Sequence, residues 1–209
     1  IDLVEAGHPL PTEAGAKGAE LMMDLVSGLG PKDLTICLLS GGGSSLISLP
    51  ADGVSLDELR EATQLLLKSG AAIQEINSVR KHLSKIAGGQ LAKAARPSKV
   101  ITLIISDVIG DRLDVIASGP TYPDPTTYSD ALAVIEKYGL EGKMPRSVLS
   151  KLELGKGGNF PETPKPGEAY FANAHHEIIA NNADAVRAVE VFGRSRGFSV
   201  EVLTKFMQG

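Results

Sequence analysis

Two short runs, Leu34 to Leu39 and Val100 to Ile105, are almost wholly apolar, with none of the alternation a strand shows when one of its faces meets water. Strands of that kind belong to the interior of a parallel sheet whose two faces are covered by helices. Further strand-like runs occur at Ile1 to Val4, at Tyr170 to Ala174 or His176 to Ile179, and at Phe198 to Leu203. Helical patterns separate them, so the order reads as successive βαβ units. The expectation is an α/β protein: a three-layer α/β/α, Rossmann-like domain with a mainly parallel sheet, single over residues 1–209.

The helices carry their own punctuation. Thr12 is placed to cap a helix through about Ser27, stopped by Gly28 and Gly30, and Ser55 to cap one that runs to Ser69 and ends at Gly70. From Ala71 to Ile86 the stripe Ala72, Ile76, Val79, Leu83, Ile86 steps by four and three, and Gly88-Gly89 breaks it. A further helix is predicted from about Ser129 to Tyr138. The stretch from Lys151 to Gly167, rich in Gly, Pro and Lys, reads as a surface loop.

Composition narrows the function. The 21 Lys and Arg against 25 Asp and Glu leave a net charge of -4, which lacks the positive field that non-specific nucleic-acid binding requires. The lone cysteine, Cys37, lies inside the first apolar run and reads as a buried structural thiol in a reducing cytoplasm. No stretch reaches the length of a membrane span. The chain opens without Met, in a strand-like run, and closes with no following helix, so it reads as an excerpt.

Three segments can carry chemistry. The first, Ser40-Gly41-Gly42-Gly43-Ser44-Ser45, directly follows a buried strand. Three glycines remove every Cβ that would block close approach and let successive N–H groups turn toward one anion, to which the serines add hydroxyls. The turn has neither a Walker lysine nor the Gly-x-Gly-x-x-Gly spacing; the alternative is a tight strand-to-helix turn that binds nothing. In the second, Asn77, Arg80, Lys81 and Ser84 share one helical face. There Arg80 and Lys81 can neutralise a carboxylate or phosphoryl group, unless that face is merely the solvated side of an amphipathic helix.

The third segment is Ser106-Asp107-Val108-Ile109-Gly110-Asp111, at the carboxyl end of a buried strand, where ligands bind in open α/β sheets. Asp107 and Asp111 can hold Mg²⁺ with water and phosphate completing its shell, or one can accept a hydroxyl proton; the alternative is an Asx turn at Asp107. The long polar stretch that follows, with Ser118, Gly119 and Thr121, is stiffened by prolines and reads as a loop that positions a substrate, with Asn77 and with His8 at the same rim. No histidine pair has metal-ligand spacing with a third ligand, and no Gly-x-Ser-x-Gly elbow occurs.

Taken in order, Ala6-Gly7-His8-Pro9-Leu10-Pro11, the Ser40 to Ser45 turn, Glu75 to Ser84, Gly88-Gly89-Gln90-Leu91-Ala92, Ser106 to Asp111 and Ile116 to Thr121 resemble the N-terminal domain of the MOFRL-type glycerate kinases. Some members of that family are labelled hydroxypyruvate reductase. The resemblance implies ATP-dependent phosphorylation of D-glycerate, most often at the 2-hydroxyl, with ATP and Mg²⁺, and leaves room for a homodimer. It also implies an upstream Gly-Lys-Ala segment with a catalytic lysine and a downstream MOFRL domain, so that this stretch is expected to be inactive alone. Ala87 stands where the family usually has Lys, and Thr12 where Asp is common. An NAD(P)H-dependent reductase and a non-catalytic phosphate or phospho-sugar module are the other readings.

Overall fold

The computed structural model describes residues 2–204. A three-stranded parallel sheet stands at its centre, in the order β1 (Leu34–Leu39), β2 (Lys99–Ile105) and β3 (Ala174–Ala180). Eight α-helices accompany it among the described residues: α1 (Glu13–Ser27), α2 (Gly43–Leu46), α3 (Leu56–Lys68), α4 (Ile73–His82), α5 (Gln90–Ala94), α6 (Tyr128–Lys137), α7 (Arg146–Lys156) and α8 (Asn182–Ser195). Parallel pairing forces a crossover between neighbours: α2 to α5 fill the first, and α6 and α7 the second.

The expected α/β architecture is the one observed, and the caps fall where the sequence puts them. Thr12 accepts from the Gly15 amide, and Ser55 forms a reciprocal capping box with Glu58. Other expectations change. Asp2 to Val4 and Phe198 to Leu203 are irregular rather than strands; Ile1 lies outside the described residues. Of the two candidate third strands, the one around His176 to Ile179 forms, while Tyr170 sits in a 3₁₀ turn.

The helix drawn from Ala71 to Ile86 is shorter, because residues beyond His82 pair with the segment before α3: Ala51 N–H donates to Leu83 O and Lys85 N–H to Leu49 O, both at 2.8 Å. The supposed surface loop begins as the helix α7. Its Lys and Gly residues misled because only one side needs to be apolar: Val148 and Leu152 are fully buried, and Gly155 lets the Tyr128 ring approach to where a Cβ would stand 2.5 Å away.

Two cores result. One lies on a single face of the sheet, where Cys37 and Val100 meet Ala19 and Val26 of α1, Leu91 of α5 and Ala95 at its end. Burial there pushes the Cys37 thiol up to about 11, consistent with a structural rather than reactive cysteine. The other is a helical bundle in which Leu59 and Leu66 of α3, Ile76 and Val79 of α4, Ile135 of α6 and Val148 and Leu152 of α7 interlock. On the opposite sheet face Leu34, Ile36, Leu38, Ile105 and Ile179 remain exposed, so the covering expected on both sides is present on one among the described residues.

The start of α4 is tied to α6 by Glu75, whose carboxylate accepts from Lys137 Nζ at 2.6 Å, Tyr138 Oη at 2.7 Å and the Ala72 amide at 2.9 Å. These bonds, that from Lys137 first, lower its pKa to about 2. A carboxyl depressed in the folded state contributes stability that is complete above the ordinary value of 4.5 and fades as pH falls toward 2. Glu75→Gln is therefore expected to lower the melting temperature at pH 7, with the gap to the unmodified protein closing as melting curves are repeated below pH 4.5.

Candidate active site

Because all three strands run the same way, their carboxyl ends lie on one rim, and the segments that leave β1, β2 and β3 there are the glycine turn, the Asp107 segment and Asn181. Gly42 takes the left-handed conformation, φ 81°, which turns the chain from β1 into α2. The glycines are also needed for closeness. A Cβ on Gly41 would strike the Asp107 carboxylate, one on Gly42 would stand 3.3 Å from His8 Cδ2, and one on Gly43 would meet Ala117 Cβ at 2.7 Å.

The turn spends its amides unevenly. Ser45 N–H donates to Gly42 O at 3.1 Å, whereas the N–H groups of Gly41, Gly42, Gly43 and Ser44 have no backbone acceptor among the described residues. Ser45 is buried, its hydroxyl donating to Pro9 O at 2.7 Å, so it anchors the turn. Ser44 Oγ lies 2.8 Å from Ser118 Oγ, while Ser40 and Gly41 are exposed.

Arg80 reaches the same place from α4. Its guanidinium donates to Ser44 O at 2.5 Å and lines a small cavity with Ser44, Ser48, Ser84 and Ser118. Burial pushes its pKa below the ordinary guanidinium value, although such a group stays charged. No carboxylate lies within ion-pair distance of it among the described residues.

Lys81 does the opposite, which corrects its grouping with Arg80 on a ligand-facing surface. The side chain is 2% exposed and points between Asp124 Oδ1 at 3.3 Å and Asp114 Oδ2 at 3.7 Å, so its charge is met by carboxylates of the protein itself. Asp114 also takes Arg112 in a two-bond fork, at 2.7 and 3.1 Å. Burial would raise the Asp124 carboxyl, but the Lys81 charge and the hydroxyl and amide of Thr126 outweigh it and hold it below its ordinary range. Asp114 and Asp124 were missed by sequence reasoning, which had no means of pairing Lys81 with carboxylates 33 and 43 residues away.

Asp107 is exposed and has no hydrogen-bond partner among the described residues; the side-chain turn anticipated there is made by Ser106, whose Oγ accepts from Val108 N–H at 3.3 Å. Asp111, at φ 52°, accepts from Asn181 Nδ2 at 2.8 Å. Among the described residues no three His, Cys, Asp or Glu side chains cluster as a self-sufficient metal cage. Oxygen donors from one or two carboxylates, with phosphate and water to complete the shell, are nevertheless the usual complement for Mg²⁺.

The residues expected to touch substrate divide. His8 is exposed beside Gly42. Asn77, Ser118, Gly119 and Thr121, expected to bind substrate, are all buried, and the side-chain bonds of Asn77, Ser118 and Thr121 hold the segment in place. Asn77 Nδ2 donates to Val115 O at 3.4 Å and its Oδ1 accepts from Ser118 at 3.2 Å; Thr121 Oγ1 lies 2.9 Å from Thr102 Oγ1 and 3.2 Å from His176 Nε2. Ala117, Ser118 and Gly119 are left-handed in succession, held by Gly88 and Gly89 amides that donate to the carbonyls of Ser118 and Gly119 at 2.9 and 2.8 Å.

The arrangement can be set beside known proteins. The family described as Domain of unknown function (DUF4147) matches residues 1–153. The chain belongs to this family. A protein of Agrobacterium vitis carrying the provisional name hydroxypyruvate reductase is 52% identical over 209 residues, all of this chain and 45% of that protein. The D-glycerate 2-kinase of Thermotoga maritima is 45% identical over 206 residues, 98% of this chain and 46% of the kinase. A crystal structure of a Pyrococcus horikoshii OT3 protein superposes with a TM-score of 0.83 at 45% identity, over 95% of this chain and 45% of that one. This DUF4147 chain thus spans about half the length of the relatives it matches. No helix among its described residues is long and apolar enough to cross a membrane.

The closeness of the turn to Ala117 is directly testable. Gly43 has an ordinary φ, so Gly43→Ala acts by sterics alone and is expected to cost about 1–3 kcal/mol in urea denaturation. An unchanged midpoint would show that the two segments are not in contact.

Proposed function

We propose that this chain supplies the phosphate-binding and charge-stabilising part of an ATP-dependent kinase that phosphorylates D-glycerate at its 2-hydroxyl. The observation that carries the reading is Arg80: a half-buried cation with no carboxylate within ion-pair distance among the described residues, pressed against a turn in which four amides have no backbone acceptor among those residues. A partly desolvated charge without a counter-charge beside it is poised for an anion from outside. Asp107, exposed against Gly41, contributes the carboxylate that phosphoryl transfer needs near the reacting hydroxyl.

In this mechanism the amides of Gly41 to Ser44 and the Ser40 and Ser44 hydroxyls hold phosphate oxygens, and Arg80 offsets the charge that builds up as the phosphoryl group transfers. His8 lies at the rim and orients the acid. Asp107, with Asp111 beside it, would hold Mg²⁺, which supplies charge neutralisation on the phosphate oxygens. Phosphoryl transfer consists mainly of positioning and charge stabilisation, so no redox group is called for. ATP, Mg²⁺, a homodimeric assembly and a cytoplasmic setting all belong to this proposal. The names of the relatives support the substrate.

The name borne by the Agrobacterium vitis protein keeps a reductase in view, but the Gly-x-Gly-x-x-Gly turn that marks the Rossmann dinucleotide site follows none of β1, β2 and β3. In the full-length enzyme, ADP release is expected on adding glycerate and ATP, with phosphorus NMR locating the product phosphate on the 2-hydroxyl. Arg80→Ala and Asp107→Ala are each expected to lower kcat/KM by about 10²–10³-fold at unchanged circular dichroism. Glycerate-independent oxidation of NAD(P)H by hydroxypyruvate would favour the reductase instead.

A further inference from the structure

Resting on the kinase reading, we propose that Lys81 is a positioning residue, whose buried ion pairs lock the end of α4 and the left-handed segment Ala117–Gly119 into the arrangement that presents Arg80 to phosphate. Lys81 and Arg80 are neighbours on one helix, about 100° apart around its axis. Fixing one therefore fixes the direction of the other. Asp124, fully buried, is anchored well beyond Lys81: Oδ1 accepts from the Thr126 amide at 3.0 Å and its hydroxyl at 2.7 Å, Oδ2 accepts from Thr163 Oγ1 at 2.9 Å, and its own amide donates to Pro164 O at 2.8 Å.

The lock reaches the site through glycine. Gly88 is left-handed, and a Cβ there would stand 3.3 Å from Lys81 Cβ and 3.4 Å from Asp124 Cβ; its amide holds the carbonyl of Ser118, the residue whose hydroxyl meets Ser44. Asp114, at the other side of Lys81, begins the stretch that contains the left-handed segment. The charges also close: Lys81 and Arg112 face Asp114 and Asp124, two of each sign. The Lys81 charge is thus met within the protein, whereas Arg80 has no ion-pair partner among the described residues.

The test combines kinetics with labelling. In the full-length enzyme Lys81→Met and Asp124→Asn are each expected to lower kcat about tenfold or more, with KM for ATP and glycerate within about threefold and the urea midpoint still well above assay conditions. The double variant should be no slower than the worse single one, since both remove the same lock. Near-normal activity in Asp124→Asn beside an inactive Lys81→Met, multiplicative losses, or losses that merely track the unfolded fraction would overturn the proposal. Should the variants not fold, reductive methylation of the unaltered protein, mapped by mass spectrometry, decides: Lys81 should resist while the exposed Lys32 and Lys68 react, with or without ATP and glycerate. Methylation of Lys81 that ATP or glycerate blocks would mean direct contact. Labelling needs no activity, so a failed kinase reading is distinguishable from a failed lock.

Discussion

The whole site depends on two stretches of backbone coming closer than side chains would allow. The turn after β1 lies against the left-handed segment Ala117–Gly119, with Gly43 facing Ala117 and Ser44 bonded to Ser118. Non-glycine residues in that conformation cost on the order of 1–3 kcal/mol each and persist only where their surroundings dictate them. Here the dictating bonds are the amides of Gly88 and Gly89 and the side chain of Asn77. The contact joins the sheet rim to the helical bundle, and Arg80 enters the space it leaves.

Electrostatics then separates two adjacent cations into two tasks. A buried ion pair adds little stability compared with an apolar replacement, but removing one partner leaves a costly unpaired charge, so such a pair restricts geometry more than it strengthens the fold. Lys81 is such a case, enclosed between Asp114 and Asp124. Among the described residues Arg80 is hydrogen-bonded to a backbone carbonyl, which satisfies a donor without neutralising the charge. The difference between the residues lies in what surrounds them and not in their own chemistry.

Much of the scaffold was readable because its signals are local. Thr12 and Ser55 cap helices through bonds to amides three residues on, and the apolar runs of β1 and β2 need no distant partner to be identified as strands. Lys151 to Gly167 misled for a related reason: the apolar side of α7 rests on few residues, and Gly155 looks like a helix breaker until Tyr128 is seen against it. Phe198 to Leu203 has a strand's composition but no neighbouring strand in the described structure, and a strand without a partner has no ladder to form.

The sequence by itself determined the parallel α/β order, the positions of the caps, the burial of Cys37 and the presence of the glycine turn and of Asp107 at strand ends, since each follows from neighbours a few residues apart. Tertiary structure alone decided that the turn, Arg80 and Asp107 share one rim, that Asn77, Thr121 and Lys81 face inward, and that Asp114 and Asp124 absorb the lysine charge. Helical spacing reports which residues share a face, but whether that face meets water, an anion or a carboxylate is fixed by contacts between residues tens of positions apart.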